Sequence, residues 1–347
     1  MHSGLSSFIK TVQTNCDISD ARYASDYGLC IYLLKMREYY RWEHRIPLDT
    51  PLSNQEVGDW MERKEAAWQA LANQPFHDLG LSATAYDPFD APRINEVLAE
   101  SGLVYGGGIG RFAKPHFFVA QLIDREQLEG YSVWVAGEEY ARELVAPPAM
   151  IQGDAIYVRK ESLRRMLFEH LEEWRWNRGQ HALTRVFEHY DVDRDSAAAL
   201  ERMTNQEMET LILHEIGELI AAKMIGGQWS DMMLSIVRTK AEIMSRAVKD
   251  HLADCVCVLP ALLDGYNTPS LHFYFANLGT LRKELFPMLS GAYKTWIADG
   301  DTQSLKSAVR AGKDHWLAVA EQILEIHHAY GNDSPSRIET LVKDSGL

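Results

Sequence analysis

Apolar residues recur at intervals of three and four along most of this chain, and they alternate with polar ones in a single stretch. Leu29, Leu33, Met36 and Tyr40 repeat at helical spacing among Lys35, Arg37, Glu38, Arg41 and Glu43, which predicts an amphipathic helix over 26–44. Pro47 and Pro51 break it, and a second helix is predicted over 54–72 with Trp60, Ala67 and Leu71 on one side. A third, over 161–176, carries the stripe Leu163, Met166, Leu167, His170 and Trp174. Further helices are expected over 204–225, 234–259, 283–297 and 302–328.

The strand signal is confined to the middle. Residues 116–122 and 131–135 flank a polar connection containing Gly130, so they predict two antiparallel strands, and 155–158 adds a third after Pro147-Pro148. Between them 137–145 reads as a short helix. Tyr105-Gly106-Gly107-Gly108-Ile109-Gly110 lacks the following helix that a phosphate-binding loop needs, so it is expected to be a turn beside the sheet. The fold class expected is α+β, predominantly helical, with one small antiparallel sheet over about 115–160. The loop-like stretch 77–93 suggests a boundary between an N-terminal helical part, 1–76, and an α+β core, 94–347.

Composition narrows the function. A chain of 347 residues with net charge −14 lacks the excess of lysine and arginine that replaces counterions along a phosphate backbone, so no nucleic-acid partner is expected. No apolar run approaches bilayer length, and the first residues lack the pattern of a secretory signal. A cytoplasmic protein without membrane association is expected. Its four cysteines are too few for a disulfide scaffold, and Cys255 and Cys257 would point about 200° apart on a helix.

The chemistry concentrates in Leu211-Ile212-Leu213-His214-Glu215-Ile216-Gly217-Glu218-Leu219-Ile220, where a histidine and two carboxylates interrupt an apolar run. Unpaired charge is costly to bury, so such a cluster implies a metal, an ion-pair network or a proton-transfer site. Thr204-Asn205-Gln206-Glu207 has the form of a capping box and Gly226-Gly227 that of a stop, which places the motif inside one helix. Met208, Leu211, Glu215, Glu218 and Ala222 then form one row, with both glutamates on the face expected to be buried.

The motif resembles the active helix of the zincin metallohydrolases, in which H-E-x-x-H supplies two metal ligands and a general-base glutamate. Glu218 stands where that family has its second histidine. The resemblance implies His214 and Glu218 as ligands and Glu215 as the base that takes a proton from metal-activated water. An oxygen ligand weakens the preference for zinc, so the cofactor expected is one divalent transition metal: zinc, iron or manganese. Glu242 lies at the distance of the third ligand in some zincins, but its pattern puts it on a polar face with Arg238 and Arg246. The core-facing stripe of 234–259 instead offers His251 as third ligand, with Asp254 as fourth ligand or as the orienter of a histidine.

Three functions stay open on these residues. The first is a metal-dependent hydrolase of a small-molecule or peptide substrate. The second is a helical non-haem di-iron oxidase that also recruits His170 and Glu173. The third is a non-catalytic protein with a structural polar cluster at this place.

Overall fold

The structure is a computed structural model that describes residues 2–81, 84–110, 113–179 and 181–347. It divides into two compact units, 1–168 and 169–347. The boundary therefore falls far beyond 77–93, which lies inside the first unit. There the chain forms the short hairpin β1 (Leu79–Leu81) and β2 (Thr84–Tyr86) and begins the helix Ala91–Leu98.

The first unit opens with α1 (His2–Tyr23), α2 (Leu29–Glu43) and α3 (Asn54–Leu71), followed by that hairpin and α4 (Ala91–Leu98). A sheet follows, of β3 (Leu103–Ile109), β4 (Pro115–Leu128), β5 (Tyr131–Ala141), β6 (Ala149–Gln152) and β7 (Ala155–Arg159), in the spatial order β3-β4-β5-β7-β6. The antiparallel β4–β5 hairpin turning at Gly130 follows the predicted pattern. The sheet is nevertheless mixed, because β7 runs parallel to β5 and antiparallel to β6. It is also larger than expected. The glycine run forms β3, in which Gly106 pairs with Phe118, and a Cβ on Gly106 would lie 2.1 Å from the Phe118 ring. Glycine is needed there for the aromatic ring to pack, not for a turn. Residues 137–141, expected to be helical, prolong β5, since pairing with β4 outweighs their local preference.

Alternation along the strands puts Leu103, Tyr105, Phe117 and Val119 against Phe8, Val12 and Cys16 of α1, while Val104, Phe118, Trp134 and Tyr157 form a core on the other face. On α2, Met36 and Tyr40 are buried as predicted, but Leu29 and Leu33 are exposed, as is Cys30. The unit also holds a buried ionic network that the pattern does not predict. The Arg159 guanidinium donates to Glu139 and to Glu143, each at 2.9 Å, and His116 Nδ1 lies 3.1 Å from the same Glu143 oxygen. Burial opposes ionisation of Glu143, but Arg159, helped by His116, holds its pKa well below the usual carboxylate range.

From α5 (Lys160–Trp176) onward the chain is helical: α6 (Ala182–Tyr190), α7 (Ser196–Ile225), α8 (Gln228–Ser235), α9 (Lys240–Ala253), a π-helical turn (Asp254–Val258), α10 (Leu259–Asp264), α11 (Thr268–Asn277), α12 (Thr280–Leu285), α13 (Pro287–Asp299), α14 (Gln303–Tyr330) and α15 (Pro335–Asp344). In the second unit Ala221, Met244, Val248, Leu252, Trp316, Val319 and Ile338 bring α7, α9, α14 and α15 into one core. Among the described residues no helix is long and apolar enough to cross a membrane.

Candidate metal centre

Helix α7 starts eight residues earlier than the apparent capping box. Asp195, which ends the acidic stretch Asp191-Val192-Asp193-Arg194-Asp195, accepts a hydrogen bond from the Ala198 amide at 3.0 Å and is the true cap. Thr204 is inside the helix, where its hydroxyl donates back to the Leu200 carbonyl at 2.6 Å, and Glu207 is wholly buried. Gly226, with φ 101°, ends the helix at the predicted place.

The buried row of this helix lies one position from the predicted one. The row is Met203, Glu207, Thr210, Gly217, Ala221 and Ile225, with His214 in line between Thr210 and Gly217. Glu215 and Glu218 flank it and are half-buried, so neither faces the core squarely. Gly217 lets the facing chain come close: a Cβ there would lie 2.5 Å from the Ala253 carbonyl oxygen. This close approach puts His214 beside the π-helical turn that starts at Asp254, a distortion that re-aims side chains on a helix.

The predicted residues separate into two groups. His214, Glu218 and Asp250 meet, each half-buried, with one potential ligand atom from each lying within 4.8 Å of the others. Asp250 was not in the expected set. Asp254 stands behind the histidine: its Oδ1 lies 2.9 Å from His214 Nδ1 and its Oδ2 accepts from Arg282 of α12. With Nδ1 engaged, His214 has Nε2 left for a ligand, an arrangement by which a carboxylate orients a metal-binding histidine. Asp254 therefore contacts the histidine from behind and does not join Glu218 and Asp250.

His251 is not brought into this cluster. Its Nε2 donates to the Arg282 carbonyl at 3.1 Å and its Nδ1 faces the Arg282 guanidinium at 3.5 Å, so both ring nitrogens are engaged. The ring stacks on Trp316 at 4.9 Å and meets the edge of Phe286. Burial, reinforced by Arg282, lowers its pKa to about 3 and keeps it neutral. It buttresses the arginine that neutralises Asp254. The sequence signal for Asp250 was its place one helical turn before Asp254, whereas His251 lies about 100° round the helix from it.

The electrostatics are those of a site that attracts cations. Burial opposes charge on His214, but the hydrogen bond it donates to Asp254, the charge of Asp254 and the nearby Glu218 and Glu215 push its pKa up to about 9. Glu218 Oε2 accepts from Lys249 at 2.5 Å, while its Oε1 is buried without a hydrogen-bond partner. Glu242 is elsewhere. Fully buried rather than on a polar face, its carboxylate accepts from the Arg238 amide at 2.7 Å and from Arg246 at 2.8 Å, beside the Thr239 cap of α9. His170 is half-exposed with Glu173 3.8 Å away, and the two do not join the cluster.

Fold and site define a two-unit α+β protein with a histidine–carboxylate cluster in its helical second unit. The chain belongs to the Family of unknown function DUF6866, whose N-terminal domain matches residues 7–159 and whose C-terminal domain matches residues 164–345. These matches divide the chain almost where the compact units do. No curated protein and no solved structure matches it.

Proposed function

We propose that the second unit is a metal-dependent hydrolase domain, with the ion held by His214, Glu218 and Asp250. The convergence of their ligand atoms within 4.8 Å carries this reading. The donor set supports it, since one imidazole and two carboxylates suit zinc, iron or manganese. So does the buried Glu218 Oε1, which lacks a partner that a cation would supply. When bound, such an ion acts as a Lewis acid that lowers the pKa of water and polarises a carbonyl or phosphoryl oxygen.

The chain's own groups supply the rest. Asp254 fixes the ring of His214, and Arg282 keeps Asp254 ionised. Glu215, next along α7 and half-buried, is the general base that accepts a proton from the attacking water and passes it to the leaving group. The cluster is a single one among the described residues, which favours a mononuclear site over the di-iron alternative.

Metal analysis of protein purified without chelator tests the proposal. About one zinc, iron or manganese per chain is expected, lost in His214→Ala and Asp250→Asn. Glu215→Gln should keep the ion and lose hydrolysis of a panel of chromogenic esters, phosphate esters and peptide anilides. Protein without a transition metal that also fails to take one up would end this reading.

A further inference from the structure

Lys249 has no place in a ligand set. It precedes Asp250 on α9, and its ammonium lies 2.5 Å from Glu218 Oε2. A divalent ion that displaces the Nε2 proton of His214 is already matched in charge by the carboxylates Glu218 and Asp250. An added ammonium one hydrogen bond away from a ligand repels that ion, so on electrostatic grounds Lys249 weakens metal binding. The other cations nearby are committed, Arg246 to Glu242 and Arg282 to Asp254. Lys249 is largely but not wholly buried, with 19% of its side chain exposed, so it touches both the ligand and solvent.

Resting on the metal reading above, we infer that Lys249 and the ion together bind an oxyanion of the substrate. The substrate is then a small molecule bearing a phosphoryl or carboxylate group, one oxygen towards the ion and another towards the ammonium. The chemistry suits lysine. A compact ammonium on a flexible stem binds phosphate or carboxylate oxygens as a point charge and can leave Glu218 when a second anion arrives. Glu218 is not left uncompensated by this exchange, because the ion it binds remains when the ammonium turns from Oε2 to the incoming anion. Lys249 acts here as a specificity-determining residue.

The test loads chelator-treated full-length protein with Mn²⁺. Inorganic phosphate and acetate are then titrated, with binding read from paramagnetic broadening of the phosphate ³¹P and acetate ¹H signals. Wild type should broaden at least one of the two signals saturably, and the one broadened identifies the group. Lys249→Met should bind Mn²⁺ at least as tightly, by the electron paramagnetic resonance of the free ion, yet weaken the anion by about tenfold, a charge-assisted hydrogen bond's worth. Lys249→Arg, which keeps the charge, should restore most of the loss. If manganese binds but neither anion does, or if Lys249→Met binds the anion like wild type, this inference is wrong and the metal reading survives. If Lys249→Arg loses the anion as fully as Lys249→Met, the charge has no such role. Protein that takes up no Mn²⁺ overturns both.

Discussion

Glu207 and Asp254 are both buried carboxyls of the second unit, and their neighbours push them in opposite directions. Asp254 has the Arg282 guanidinium and His214 beside it, which overcome burial and hold it well below the usual range. Glu207 receives hydrogen bonds from Thr210 at 2.8 Å and Ser270 at 2.9 Å, but burial outweighs them and raises its pKa from 4.5 to about 7. A folded-state value above the unfolded one means stability that is complete below about 4.5 and is lost as pH rises through about 7. The shift amounts to something on the order of 3 kcal/mol. Glu207→Gln keeps acceptors and donors without the charge, so its urea midpoint should exceed that of wild type at pH 8 and match it near pH 4. Equal pH dependence of the two proteins would show that Glu207 is not the cause. Neither the burial of Glu207 nor the arginine that holds Asp254 ionised was legible in the sequence, since a carboxylate reads the same there whatever faces it.

At the scale of elements, the site depends on how closely α7 and the end of α9 approach, and Gly217 sets that distance. In an ordinary helix interior, replacing glycine by alanine stabilises by up to about 1 kcal/mol. Here the added Cβ would press on a backbone carbonyl, which cannot swing aside, so Gly217→Ala should destabilise by about 1–3 kcal/mol. It should also separate His214 from Asp254. Thermal melts and Mn²⁺ titrations of this variant would measure both effects, and a higher melting temperature would refute the packing argument. The sequence revealed α7 and its glycine stop, because periodicity and caps are local. It misplaced the start, because Asp195 and Thr204 both have capping chemistry and only one of them ends a run of helical backbone. The buried row was set one position off for a separate reason, because the face a helix buries is decided by the elements packed against it.

For the whole molecule, the consequence is that chemistry and sheet belong to different units. His214, Glu218, Asp250 and Asp254 all lie in 169–347, while the sheet and the Arg159 network lie in 1–168. Both clusters leave buried polar atoms without a hydrogen-bond partner, Glu139 Oε2 and Glu143 Oε2 in the first and Glu218 Oε1 in the second, but among the described residues only His214, Glu218 and Asp250 bring three potential ligand atoms together. Binding of an ion should therefore slow amide exchange in α7 and α9 and leave β3 to β7 unchanged, because ligand binding stabilises the element that holds it. Hydrogen exchange read by mass spectrometry with and without Mn²⁺ checks this. Protection centred on the sheet would place the ion elsewhere.

The predominance of helix, the central β hairpin, the burial of His251 and Asp254 and the polar cluster in α7 were all determined by the sequence itself, because hydrophobic spacing acts through neighbours along the chain. Tertiary structure decided that β7 runs parallel to β5, that the glycine run is a strand, and that Asp250 rather than His251 meets His214 and Glu218. Strand direction, a ring packed on a glycine and the facing of two helices are set between segments distant along the chain. A difference of one residue, about 100° on a helix, separates Asp250 in the cluster from His251 against Arg282, and spacing within a single segment cannot resolve it.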